Sequence, residues 1–234
     1  KMTKELEIFH SAPISQAVLK NAVPAMIAML MVLVYNLADT LFIGLTHDAY
    51  QVAAVSMATP VFLIFMSVGS VFGIGGTSVI ARALGEGKAD YARKATSFCM
   101  WSCVVIGVAM SALFLIFMED ILVIMGTSAD TYTYAKTYLT IVTYSGPFVL
   151  IANCFSKVIR AEGHAKTAMM GQLLGNLLNV ILDPVMILTF GWGITGAAIA
   201  TAIGNIFSAC FYIRYFFSGT SILSIHPKDF SMGD

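Results

Sequence analysis

The fold class this sequence predicts is all-α: a polytopic membrane protein with six transmembrane helices. Three observations predict it. Of 234 residues, 58% are hydrophobic and 11% charged, with a mean hydropathy of +0.84. A soluble domain carries roughly 25% charged residues, so lipid must form part of this chain's solvent. The apolar residues come in runs that match the roughly 20 residues a helix needs to cross a bilayer. Those runs far exceed the roughly ten-residue alternating segments of a membrane barrel. Finally, lysine and arginine gather on one side of the runs.

The six spans follow from charges and from glycine and proline punctuation. The first helix is expected over Ile14–Leu45, the second over Gln51–Ala83 and the third over Ala92–Met118. The fourth covers Thr131–Ile159, the fifth Lys166–Phe190 and the sixth Ile194–Phe217. Lys1 to Lys20 reads as an interfacial segment leading into the first span. It lacks the apolar stretch and cleavage site of a secretory signal. Residues 1–217 thus form one transmembrane unit. The tail 218–234, SGTSILSIHPKDFSMGD, loses the apolar pattern and reads as a cytoplasmic linker.

With a cytoplasmic N-terminus, twelve of the 13 Lys and Arg residues lie inside and only Lys136 lies outside. That distribution obeys the positive-inside rule. The outer connections THDAY and GWG carry neither Lys nor Arg, and Glu119, Asp120 and Asp130 cluster in the third outer connection.

Zero net charge leaves no basic footprint for nucleic acid. Cys99, Cys103, Cys154 and Cys210 form no C-x-x-C pair and are expected to be small buried hydrophobes. The loop ARALGEGKADYARK reads as a solvated turn, without a Walker pattern. Neither H-E-x-x-H nor G-x-S-x-G occurs, so no hydrolase or ATP-driven motif is present.

Two aspartates fall inside the apolar runs. Asp39 lies toward the outer part of the first helix, and Asp183 lies within the fifth. An acid at the centre of a membrane helix costs about 2.5–3.5 kcal/mol on insertion scales, so each must face protein or a wet cavity. An ion or proton site satisfies that demand. So does a structural hydrogen-bond node, or an aspartate near enough to the interface to be hydrated. Gly171, Gly175, Asn179 and Asp183 are spaced by four and form one helical stripe, with Asn176 beside it. Pro184 clashes with the carbonyl of Val180, which implies a kink and a freed backbone oxygen. Oxygen donors of this kind suit a hard cation such as Na⁺, or a proton relay.

The sixth helix carries small residues at Gly196, Ala200, Gly204 and Ser208, with Thr201 and Asn205 on the adjoining face. Gly69, Gly73 and Gly76 mark the second helix for close packing or bending, with Pro60 above them. Pro147 and Asn153 fall in the fourth helix, and Tyr35 and Asn36 sit one turn before Asp39.

At these residues the sequence resembles the multidrug and toxic compound extrusion (MATE) family. The matching segments are P-A-M-I-A at Pro24, N-L-A-D-T-L-F-I-G at Asn36 to Gly44, and G-S-V-F-G-I-G-G-T-S-V-I-A-R-A-L-G-E-G at Gly69 to Gly87. I-R-A-E-G at Ile159 to Gly163, G-N-L-L-N-V-I-L-D-P-V-M-I at Gly175 to Ile187 and G-A-A-I-A-T at Gly196 to Thr201 complete the series. The resemblance implies a secondary antiporter that exports drugs or organic cations in exchange for Na⁺ or H⁺. It has no other cofactor and resides in the plasma membrane. MATE proteins have twelve helices in two lobes, and this chain resembles the N-terminal lobe, its tail being the inter-lobe linker. A second six-helix lobe is therefore the expected partner, supplied by a longer chain or by a second copy.

By the same resemblance, Asp39, Asn179, Asp183 and Thr201 bind the coupling ion. Tyr35, Asn36, Asn153 and Asn205 belong to the cavity or its surroundings. One alternative is a lipid-linked oligosaccharide flippase of the same superfamily. The absence of Lys or Arg in the middle of the helices disfavours it. A more distant one is an intramembrane aspartyl protease, which expects G-x-G-D where this chain reads V-I-L-D-P.

Overall fold

The structure is a computed structural model and describes residues 13–229. The beginning of the proposed interfacial segment and the last residues of the tail lie outside that range. Eight helices follow in order: α1 (Ile14–Gly44), α2 (Ala49–Gly85), α3 (Ala89–Ile116), α4 (Met118–Ile124), α5 (Ala129–Tyr144), α6 (Gly146–Ala161), α7 (Ala165–Pro184) and α8 (Ile194–Phe217). A π-helical segment, Val185–Thr189, extends α7, and a 3-10 turn, Pro227–Asp229, lies in the tail. No strand occurs among the described residues. Helices α1, α2, α3, α7 with its extension, and α8 are each long and apolar enough to cross a membrane. The chain is a multi-pass α-helical membrane protein.

The fourth span departs from expectation. Instead of one helix over Thr131–Ile159, α5 and α6 meet at Ser145 with a bend of 53°. Pro147 is the cause: it lacks an N–H and cannot tolerate the carbonyl of Thr143 in helical position. That carbonyl instead accepts from Ser111 Oγ at 2.9 Å. Gly107 on α3 admits the proline, since a Cβ there would lie 2.8 Å from Pro147 Cα. The third span also ends early, at Ile116, and the short α4 occupies part of the connection between α3 and α5.

Local chemistry sets several boundaries. Asp48 caps α2 by accepting from the Tyr50 amide at 2.9 Å. Ser128 and Thr131 form a reciprocal capping box at the start of α5. Gly163, at φ +98°, makes the turn between α6 and α7 that a side chain would strain.

Helix α1 lies chiefly against α7 and touches α2 lightly. It buries only Pro24, Ala28, Asp39 and Ile43, and the rest of its surface is largely exposed. Helices α2 and α6 approach backbone to backbone, because a Cβ at Gly69 would fall 2.9 Å from the carbonyl of Leu150. Cys99, Cys103 and Cys154 are buried, as expected. Cys210 is not: it is exposed on α8.

At the end rich in Lys and Arg, the tail is strapped to the helices. Arg93 Nε donates to the Ile222 carbonyl at 2.9 Å, and Ser97 Oγ donates to that of His226 at 2.8 Å. Glu162, fully buried, accepts from Tyr215 Oη at 3.0 Å, from Ser221 Oγ at 2.8 Å, and from the Ile222 amide. Leu223 and Ile225 are buried with it. At the opposite end, Gln51 Oε1 accepts from the Ile194 amide at 2.9 Å and joins the α1–α2 and α7–α8 connections.

Candidate functional site

Helix α7 turns the stripe Gly171, Gly175, Asn179 and Asp183 inward, and all four are buried. The two glycines are required by space. A Cβ at Gly171 would strike the Tyr212 ring, and one at Gly175 would strike Ser208 Oγ. Their absence lets α7 and α8 close on each other, so Asn179 meets Thr201.

The neighbours of Asn179 decide the orientation of its amide. With nitrogen toward Asp183, it donates to Oδ2 at 2.9 Å, and its oxygen accepts from Thr201 Oγ1 and the Thr201 amide, both at 3.1 Å. The reverse orientation sets the amide oxygen against the carboxylate and keeps a single bond to Thr201. Asn179 thus links Asp183 to Thr201.

Asp39 arrives from α1. It is 7% exposed and Asp183 is 0% exposed, so neither carboxylate is hydrated by bulk solvent. Asp39 and Asp183 lie within each other's electrostatic reach, and Tyr35 and Tyr138 lie within reach of both. Asp39 Oδ1 and Asp183 Oδ1 are buried without a hydrogen-bond partner. An unsatisfied buried polar group costs about 1–3 kcal/mol, and more if charged. A proton or a cation at these oxygens would relieve that cost.

A cavity of about 290 Å³ opens beside Asp39. Helix α1 supplies Tyr35, Asn36 and Thr40, α2 supplies Ser56, Thr59 and Phe62, and Tyr138 and Thr201 close it. Its only ionisable groups are Asp39 and the two tyrosines, so its electrostatic character is acidic. Among the described residues no group of three or more His, Cys, Asp or Glu gathers to hold a metal. Two carboxylates with neutral oxygens suit a monovalent cation or a proton better than the oxygen cage of Ca²⁺ or a soft transition-metal site.

Asp39, Asn179, Asp183 and Thr201 therefore come together, with Tyr35 and Asn36 on the cavity wall. Two further candidates stand apart. Asn205 Nδ2 donates to the Thr201 carbonyl of its own helix at 3.0 Å. Asn153 lies between α6 and α2, bonded to Ser70, Lys157 and the Met66 carbonyl. Ser56, Thr59 and Tyr138 line the cavity although the sequence does not single them out. A wider depression at the α2–α3 turn, about 760 Å³ and open to solvent, carries the exposed Lys88–Glu86 ion pair at 2.7 Å. It contains none of the intramembrane acids.

The family model MatE matches residues 24–185, more than half of the chain. The chain belongs to the MatE family. Multidrug export protein MepA of Staphylococcus aureus (strain NCTC 8325 / PS 47) is 32% identical to this MatE chain over 225 residues, which are 96% of the chain and 50% of that protein. MepA of Staphylococcus haemolyticus is also 32% identical, with the same coverage. A crystal structure of MATE in the straight conformation superposes with a TM-score of 0.93 at 28% identity. It covers 100% of this chain and 52% of its own. An outward-facing multidrug resistance MATE transporter of the MOP superfamily gives 0.93 at 27%, covering 100% of this chain and 51% of its own. The chain spans about half the length of the curated relatives it matches, and the matched half is the N-terminal lobe.

Proposed function

We propose that this chain is the cation-binding lobe of a multidrug efflux antiporter, acting with a second six-helix lobe in the plasma membrane. Its N-terminus is cytoplasmic, and the protein is a transporter rather than an enzyme. The observation that carries the reading is the pair of buried carboxylates, each with an unpartnered oxygen, joined through Asn179 to Thr201 beside an acidic cavity.

The physics of coupling is direct. A buried carboxylate binds a proton or a cation in place of water, so H⁺ and Na⁺ compete for Asp39 and Asp183. Moving one charge through 100 mV is worth about 2.3 kcal/mol. Arrival of the ion from outside removes negative charge beside the cavity and weakens its hold on an organic cation. Helix α1 is suited to respond, because it packs loosely on α2 and buries few side chains. The relatives' names, multidrug export proteins, agree with an organic cation as cargo.

The test uses the full-length transporter that contains this lobe, reconstituted in liposomes. Ethidium efflux is driven separately by a Na⁺ gradient and by a pH gradient. Asp39→Asn and Asp183→Asn should each reduce driven efflux at least tenfold at equal protein, and one of the two gradients should drive the wild type. Wild-type rates in both variants would overturn the site.

A further inference from the structure

The wider depression at the α2–α3 turn plays no part in the Asp39 site. It measures about 760 Å³ and is formed by the last turns of α2 and the first turn of α3. Arg82, Glu86, Lys88 and Asp90 are its charged side chains. Three of these are engaged: Lys88 Nζ pairs with Glu86 at 2.7 Å, and Asp90 faces Arg93 Nη1 at 3.6 Å. Arg82 is exposed in the last turn of α2, within electrostatic reach of Glu86. Among the described residues it makes no hydrogen bond or ion pair. Its guanidinium N–H groups are therefore free to donate, and the depression gives an anion room beside them.

Depth in the bilayer decides what kind of anion. Helix α2 has 37 residues, and at the helical rise it is about 55 Å long. Centred on a hydrocarbon core of about 30 Å, it overhangs by about 12 Å at each end. Arg82 is about 5 Å from the helix end, so it lies among the lipid headgroups. Val71, Gly75, Ser78 and Arg82 are spaced by four, three and four and form one stripe, with Ile74 beside it. Val71 and Ile74 are exposed, and a Cβ at Gly75 meets nothing within 4 Å. Ile74 is about 12 Å further along the helix from Arg82, which places it in hydrocarbon.

A free inorganic anion would use Arg82 and leave the stripe bare. A phospholipid uses both. Its phosphodiester accepts two parallel N–H bonds from a guanidinium, and an acyl chain covers the apolar stripe. The surrounding charge favours an anionic lipid over a zwitterionic one, because from Arg82 to Lys94 four cations stand against two acids.

We propose that the α2–α3 depression binds an anionic phospholipid of the leaflet at the Lys- and Arg-rich end, with its phosphodiester on Arg82 and an acyl chain along Val71, Ile74 and Gly75. This site is separate from the Asp39 cavity and does not depend on the efflux reading.

The experiment uses the full-length transporter that contains this lobe, delipidated in neutral detergent. Binding of phosphatidylglycerol and of phosphatidylcholine is followed by native mass spectrometry, with and without millimolar inorganic phosphate. Phosphatidylglycerol should bind at least tenfold more tightly than phosphatidylcholine, and phosphate should not displace it. Arg82→Gln should abolish that preference. Lys166→Gln, which removes an exposed cation outside the depression, should leave it within twofold. Equal binding of the two lipids, or a preference that survives Arg82→Gln, would overturn the site. Equal losses in the two variants would reveal diffuse attraction to the charged end, and displacement by phosphate would reveal an anion site without a lipid; each overturns the proposal. No bound phosphatidylglycerol at all would mean that the second lobe covers this face, and would overturn it too.

Discussion

Replacing Gly204 with alanine tests how closely α7 and α8 must approach to assemble the carboxylate cluster. A Cβ at Gly204 would lie 2.7 Å from the Gly175 carbonyl oxygen and 3.3 Å from Asn179 Cβ. Ordinary contact begins near 3.4 Å, so the helices must part by about 0.7 Å. Thr201 is one turn away on the same helix. Its 3.1 Å contact with Asn179 would stretch to about 3.8 Å, beyond hydrogen-bond reach. Overpacking of this kind costs about 1–3 kcal/mol, and an intramembrane side-chain hydrogen bond adds roughly 0.6–2 kcal/mol. The expected loss is therefore about 2–5 kcal/mol, read as a lowered unfolding temperature of the purified full-length transporter and weakened ion-driven efflux. Gly75→Ala is the control, because a Cβ there meets nothing within 4 Å. If Gly204→Ala unfolds at the wild-type temperature and drives efflux as well as Gly75→Ala does, close approach is not what builds the site.

Two further predictions concern the ends and the outer face of the lobe. Glu162→Ala removes the acceptor of Tyr215, Ser221 and the Ile222 amide. It should weaken local anchoring of the tail by about 2–4 kcal/mol and speed proteolysis near residues 218–226 in inside-out vesicles; an unchanged cleavage rate would show that the strap is held by other contacts. Cys210 is exposed on α8 whereas Cys99, Cys103 and Cys154 are buried. A lipid-soluble maleimide should therefore label the native protein once, and Cys210→Ser should abolish that label. Persistent labelling of the variant would contradict the packing of α3 against α6.

Hydropathy and charge bias make the spans legible because the bilayer permits few solutions: a long apolar run must be helical, and its flanking cations stay inside. The same constraint makes Asp39 and Asp183 conspicuous, and the four-residue spacing brings Asn179 with them. Thr201 came from the family resemblance, since a hydroxyl on a helix bonds its own backbone in most settings. Ser56 and Thr59 carry no signal for that reason, each hydroxyl bonding the carbonyl four residues back, and Tyr138 reads as one more aromatic; only the tertiary arrangement sets the three on one cavity wall. The bend at Ser145 was half legible. Pro147 announces a disturbance, but whether a span kinks or breaks depends on what fills the gap. Here Ser111 satisfies the freed carbonyl, Gly107 admits Pro147, and Gly146 leaves the space that the Phe65 ring fills.

Lys157 and Glu162 show a different limit. A count of positive charges records where a residue is attached, not where its charged end goes. Along α6, side chains lean toward the helix N-terminus, away from the Lys- and Arg-rich end. A lysine near the last turn of such a helix must bend against that lean to reach water. It remains inside when an acceptor waits one turn back, and Asn153 is that acceptor. The i, i+4 pairing of an amide with a lysine, set opposite a glycine on the neighbouring helix, is therefore the pattern that separates a buried cation from a topological one. Glu162 obeys the converse logic. Its donors come from Tyr215 and from the tail at Ser221 and Ile222, more than fifty residues along the chain. No local pattern around I-R-A-E-G could reveal that a polar tail would fold back to bury the acid.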